Sequence, residues 1–175
     1  AMTLGDRIVI MKDGFIQQVG TPQQVFNHPA NLFVAGFIGT PQMNFFDAQL
    51  IRRENQYSVE LDGARVELSE EKCERLLRNE VLSGAVTLGV RPEHLALTDD
   101  ANAVPGTVDM VEMMGSSVNI HADACGGDVI LVVPVGEEMT EQQENGLRRG
   151  APVRFTFRGS AAHVFDKETG RNLEY

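Results

Sequence analysis

Residues 106–133 read Gly106-Thr107-Val108-Asp109-Met110-Val111-Glu112-Met113-Met114-Gly115-Ser116-Ser117-Val118-Asn119-Ile120-His121-Ala122-Asp123-Ala124-Cys125-Gly126-Gly127-Asp128-Val129-Ile130-Leu131-Val132-Val133. Three short runs rich in β-branched and apolar residues, 106–113, 117–122 and 128–133, are separated by glycine-bearing breaks. That pattern predicts successive antiparallel strands rather than helices. Gly115 falls between two of the runs, where a positive backbone φ is needed and only glycine adopts it freely.

The same grammar extends in both directions. Candidate strands lie at 47–52, 57–61, 64–68 and 85–91 upstream, and at 151–158 and 161–165 downstream. Glu54-Asn55-Gln56 and Asp62-Gly63 supply turns. Strands recurring about every ten residues, with Gly and Pro between them, imply a sandwich or a small closed barrel. The expected fold class is therefore mainly β, with an OB-fold-like Greek-key barrel after residue 80 and added strands before it. One helix interrupts this region: Ser69 caps it, Glu70 and Glu71 sit at its positive end, and Arg75 and Arg78 near its negative end. Thr140-Glu141-Gln142-Gln143 also fits a capping box, limited by Gly146 to two turns.

Residues 1–46 differ. Arg7-Ile8-Val9-Ile10-Met11 and Phe15-Ile16-Gln17-Gln18-Val19 flank Asp13-Gly14 and predict a hairpin. Thr21-Pro22-Gln23-Gln24 then carries three helix-start signals: a cap, proline at the first position and Gln three residues past the cap. A second helix over 30–38 is apolar on too many sides to lie alone on a surface, so it must pack into something. Asp6 and Asp13 balance Arg7 and Lys12, which leaves the chain's whole charge of −10 in residues 47–175. Two units are expected, 1–46 and 47–175. The first is too small to be an independent domain and reads as the end of a larger one.

Composition narrows the function. At 175 residues folding buries roughly 70% of the unfolded chain's surface, enough for a core without disulfides. Cys73 and Cys125 are far apart in sequence and are expected as free thiols. No apolar run reaches the ~20 residues of a membrane span. The acidic balance leaves little to build a nucleic-acid-binding face, and only Lys12, Lys72 and Lys167 represent lysine. Gly84 and Gly89 have the separation of a phosphate-binding loop, but Val90 and Arg91 stand where Lys and Ser/Thr are required.

Three stretches together resemble one family. Ala1-Met2-Thr3-Leu4-Gly5-Asp6-Arg7 through Lys12-Asp13-Gly14, Gln18-Val19-Gly20-Thr21-Pro22 and Phe33-Val34-Ala35-Gly36-Phe37-Ile38-Gly39 resemble the end of the nucleotide-binding domain of ABC-type carbohydrate-import ATPases of the maltose/glycerol-phosphate group. Met43-Asn44-Phe45-Phe46 is similar to that group's junction into its C-terminal extension. Leu88-Gly89-Val90-Arg91-Pro92-Glu93-His94-Leu95 and Val108-Asp109-Met110-Val111-Glu112-Met113-Met114-Gly115 resemble marks of its transport-associated OB (TOBE) domain.

The resemblance implies a regulatory and dimerising module. Its partners would be a second copy, the ATPase core, transmembrane permease subunits and a regulatory protein, with no nucleic acid. It would sit at the cytoplasmic side of the inner membrane, peripherally. The family's catalytic motifs precede the segment matched here, so no catalytic or cofactor-binding residue carries over. ATP and Mg belong to the parent protein, and the chain is expected to be no enzyme by itself.

Arg91, Glu93, Glu112 and Gly115 are the interface or regulatory candidates. Arg91 is expected either to form a clasp with a carboxylate such as Glu112, across the barrel or a dimer, or to be solvated where Pro92 ends its strand. Met110, Met113 and Met114 read as core filling. His121 with Asp123 is a pair, short of the three or four ligands of a metal site. His163 and Asp166 are expected to make a local turn contact. Two other functions are open. One is an OB domain binding a small oxyanion at a dimer interface, with Arg148, Arg149, Arg154 and Arg158 as a local patch. The other is a single-strand nucleic-acid module, disfavoured by the scarcity of aromatics and basic groups.

Overall fold

A computed structural model describes residues 5–136 and 146–175. The predicted helix after Thr140 lies outside the described residues.

The chain opens with a hairpin, β1 (Ile8–Lys12) and β2 (Phe15–Gly20), turned at Asp13-Gly14. Helix α1 (Pro22–Asn27) starts where expected: Thr21 accepts from Gln24 N while the Gln24 side chain accepts from Thr21 N, a complete capping box. Helix α2 (Leu32–Phe37) is capped by Asn31, whose side chain accepts from Val34 N. Ile10, Val25, Val34 and Ile38 close into a small core. The other face of α2 places Ala35 against Met43 and Phe165, so this helix joins the hairpin to the strands of the larger β region.

The remainder is two five-stranded antiparallel sheets. The first contains β3 (Asn44–Arg53), β4 (Gln56–Leu61), β5 (Ala64–Glu67), β6 (Gly84–Val90) and β12 (His163–Asp166), in the order β12-β6-β3-β4-β5. The second contains β7 (Ala96–Leu97), β8 (Val104–Met113), β9 (Ser117–Ala124), β10 (Gly127–Pro134) and β11 (Pro152–Thr156), in the order β10-β9-β8-β11-β7. Leu50, Val59 and Leu88 of the first share one core with Val108, Ile120, Leu131 and Phe155 of the second. The Phe46 and Phe155 rings meet across it at 6.1 Å. Alternation drives the arrangement: along β9 and β10 every second residue is buried, as a sheet with one wet face requires. The mainly β class holds.

Helix α3 (Glu70–Arg78) covers the first sheet through Cys73 and Leu76. A second tie crosses from the start of β3 to β10: the Asn44 amide donates to Ile130 O and accepts from Ile130 N, both at 2.9 Å. The two-residue strand β7 is absent from the sequence reading, because two residues are too short to show a period.

The methionine expectation is corrected. A bulge between Val108 and Met110 leaves Asp109 outside the ladder and turns Met110 outward. Met113 and Met114 lie at the end of β8 and in the turn beyond the core, with Met113 71% exposed.

Candidate functional site

Arg91 follows β6 directly and is among the largest fully buried side chains, 2% exposed. The clasp with Glu112 does not form within the chain. Instead Nη1 donates to Ile38 O at 2.7 Å and Nη2 to Phe26 O at 2.9 Å. Its guanidinium carbon lies 3.8 Å from the Phe26 ring centroid, a close cation–π contact. Those carbonyls belong to helix ends, where acceptors lack intrahelical donors and the dipole is negative. The solvated alternative is equally excluded. Sequence reasoning sought a carboxylate because an arginine usually meets one; the two carbonyls are 53 and 65 residues away, beyond any local signal.

Gly39 belongs to the same arrangement. Its φ is +107°, and a Cβ there would approach Arg91 Nη1 to 2.8 Å. Burial lowers the Arg91 pKa, with Glu93 opposing through its charge. Glu93 itself is exposed in a short 3-10 turn, Pro92–His94.

Glu112 pairs with His121 on the neighbouring strand. The partner of His121 is thus Glu112 rather than Asp123, which is exposed. Gly115 has φ +87° in the β8–β9 turn, as its place between strands requires. Met110 is exposed on the same face as this pair, and Met113 and Met114 are exposed at the end of β8 and in the turn after it. Among the described residues no group of three His, Cys, Asp or Glu converges on a point.

A second polar centre was missed by the sequence reading. Glu174, 3% exposed, accepts from Lys72 Nζ at 3.0 and 2.9 Å and from Arg75 Nη2 at 3.1 Å. Burial lowers the Lys72 pKa, and the Glu174 carboxylate opposes that shift. Next to Glu174, Asn172 donates to Pro29 O at 2.8 Å, and Tyr175 Oη lies 2.6 Å from His28 Nδ1. Residues 172–175 therefore fasten α3 to the segment between α1 and α2. Asp166 is not the partner of His163: its carboxylate accepts from Thr169 N and Oγ1, both at 2.8 Å. Those bonds lower the Asp166 pKa.

The Gly84/Gly89 stretch does not fit the phosphates of ATP with magnesium. Gly84 and Gly89 are both within β6, laddered to β3 on one side, so their spacing forms no loop that could wrap a phosphate. No helix among the described residues is long and apolar enough to cross a membrane.

Two family models match: the TOBE domain over residues 88–165 and the MalK OB fold domain over residues 39–95. Curated relatives include the trehalose/maltose import ATP-binding protein MalK of Thermococcus litoralis, 38% identical over 99% of this chain and 45% of its own length. The sn-glycerol-3-phosphate import ATP-binding protein UgpC of Ruegeria pomeroyi is 37% identical, over 99% of this chain and 44% of its own. The osmoprotective compounds uptake ATP-binding protein GgtA of Synechocystis is 35% identical, over 96% and 44%. The chain thus spans less than half the length of these relatives. Among solved structures, the cytoplasmic molybdate-binding protein ModG superposes with a TM-score of 0.51 at 19% identity, covering 69% of this chain and 94% of that one. That likeness shows the fold alone.

Proposed function

From the premise that this chain belongs to the family of ABC-transporter ATP-binding proteins carrying a TOBE domain and a MalK-type OB fold, we propose that it is the regulatory and dimerising part of a carbohydrate importer's ATP-binding subunit. In that protein a nucleotide-binding core would hold ATP and magnesium, and permease subunits would anchor it at the cytoplasmic side of the membrane. This part would contribute pairing with a second copy and a surface for a regulatory protein, and no catalytic group.

The carrying observation is a hairpin apolar on both faces and covered on one. Ile8 and Ile10 pack on α1 and α2, whereas the cross-strand pairs Val9–Val19 and Met11–Ile16, with Ile16 63% exposed, face outward. Such a contiguous apolar face is what a missing neighbour, here an ATPase core, would cover. The exposed methionines Met110, Met113 and Met114, at the end of β8 and the turn after it on the far sheet, support a separate contact and are assigned to pairing. Two tethered contacts keep motor domains at high effective concentration while they open and close.

Light scattering of the purified chain tests the pairing. A mass of twice 19.2 kDa is expected, reduced to the single mass by Met113→Glu. A single mass for the unaltered chain at every concentration removes the pairing role. Phosphate release from ATP is the second assay, with no turnover above buffer expected; magnesium-dependent turnover that accompanies the purified chain overturns the non-catalytic assignment.

A further inference from the structure

The seam between α1, α3 and the β6 and β12 side of the first sheet forms a cleft of about 250 Å³. Its wall is unusual for a chain of net charge −10 with three lysines. Lys72, Arg75 and Arg91 all line it, with His28, His94 and His163. The carboxylates nearby are Glu71, exposed at the rim, Glu93, exposed in the turn between Arg91 and His94, and Glu174, which Lys72 and Arg75 share. Arg91 has no carboxylate within ion-pair distance among the described residues, although it is fully buried. A buried charge normally has an ionic partner. Here only two carbonyls and an aromatic face answer it.

His163 provides an independent observation. It lies on β12, is 9% exposed, and its Nδ1 has no hydrogen-bond partner among the described residues. Buried polar groups in folded chains are almost always satisfied, so an orphan that also lines a cleft points to a ligand. Two hydroxyls, Ser69 and Ser160, complete the wall. Three basic side chains, one of them without an ion-pair partner, an orphaned imidazole and hydroxyls are the donor set of a tetrahedral oxyanion site.

We propose that this cleft binds phosphate or the phosphoryl group of a small phosphomonoester, which supplies the counter-charge Arg91 lacks and the partner His163 lacks. The site is formed within one chain and is separate from the exposed methionines assigned to pairing, so it stands or falls independently of the function proposed above. Burial first, then the charges of Lys72, Arg91, His28 and His94, hold the His163 pKa down to about 3. A bound anion would tie helix ends, α3 and the sheet together and stiffen the joint between the hairpin region and the rest.

The test is titration of the full chain with inorganic phosphate and with glycerol phosphate, at constant ionic strength in chloride, read by calorimetry and by the imidazole resonances of His163. Saturable binding that shifts those resonances is expected. Ser160 is exposed, so Ser160→Glu leaves the fold intact and places a carboxylate at the cleft mouth; it should weaken binding roughly tenfold or more. Equal affinity for the two ligands assigns the free ion. Tenfold tighter binding of the ester assigns a phosphoryl group on a larger molecule. Unmoved His163 resonances at saturating concentrations of both ligands overturn the proposal, as does undiminished binding by the Ser160→Glu chain.

Discussion

The region around Ile10, Val25, Val34 and Ile38 and the region around Leu88, Ile120 and Leu131 are made from the same kinds of residue. They differ in what surrounds them. In the double sheet, alternating strands send apolar side chains inward from two sides and polar ones to water. In the hairpin region, one four-residue core forms beneath a two-stranded sheet whose other face remains apolar and open. A two-stranded ribbon is marginal by itself and needs packing. The double sheet completes its own core; the hairpin region is held by what it touches, through Arg91, Asn172 and Ala35.

The strongest way to break this contrast is Leu131→Ala. Leu131 is fully buried between the sheets, and its truncation should cost about 4 kcal/mol in urea unfolding. The whole double sheet should respond as one transition. Glu174→Gln comes next, at about 3 kcal/mol, since it strands the buried Lys72 ammonium. Because Glu174 sits beside the residues that hold the hairpin region, hydrogen exchange should rise in residues 22–38 as well as in α3. If exchange changes only in α3, residues 172–175 do not fasten the two regions.

The pH dependence is expected to be next in size. His163 is neutral in the folded chain, with a pKa of about 3 against an ordinary 6.5. When the pH falls below the unfolded value, the unfolded chain takes up a proton that the folded one refuses, so stability is full above that value and declines toward the folded one. Between pH 7 and pH 5 the loss should be about 2 kcal/mol in phosphate-free buffer. His163→Gln should flatten this component; an unchanged slope in the variant would place the effect elsewhere. Thr21→Ala is the mildest change. It removes the α1 cap, should cost about 1 kcal/mol, and should leave exchange in β8–β10 untouched.

Much of this was legible from short-range pattern. The caps Thr21 and Ser69, the Asp13-Gly14 turn and the strand runs of 106–133 rest on signals within a few residues, and each appears where expected. What was illegible is non-local or depends on one inserted residue. The Asp109 bulge reverses the side on which Met110 lies, and composition does not announce a bulge. Arg91 finds helix-end carbonyls only once β6 and α2 are folded together. Glu174 reads as an ordinary acidic residue until the chain brings it beneath α3, 102 positions from Lys72. The cleft is illegible for the same reason: its histidines and its basic side chains come from four separate stretches.

The amide of Asn44 has a consequence for behaviour at high concentration. Strand β10 ends its sheet, and an outermost strand offers a ready template for stacking of misfolded copies. By occupying both main-chain groups of Ile130, one side chain removes the middle of that template. Asparagine here acts as an internal guard against fibre growth, and its value would be felt less in folding strength than in how long a concentrated sample stays clear.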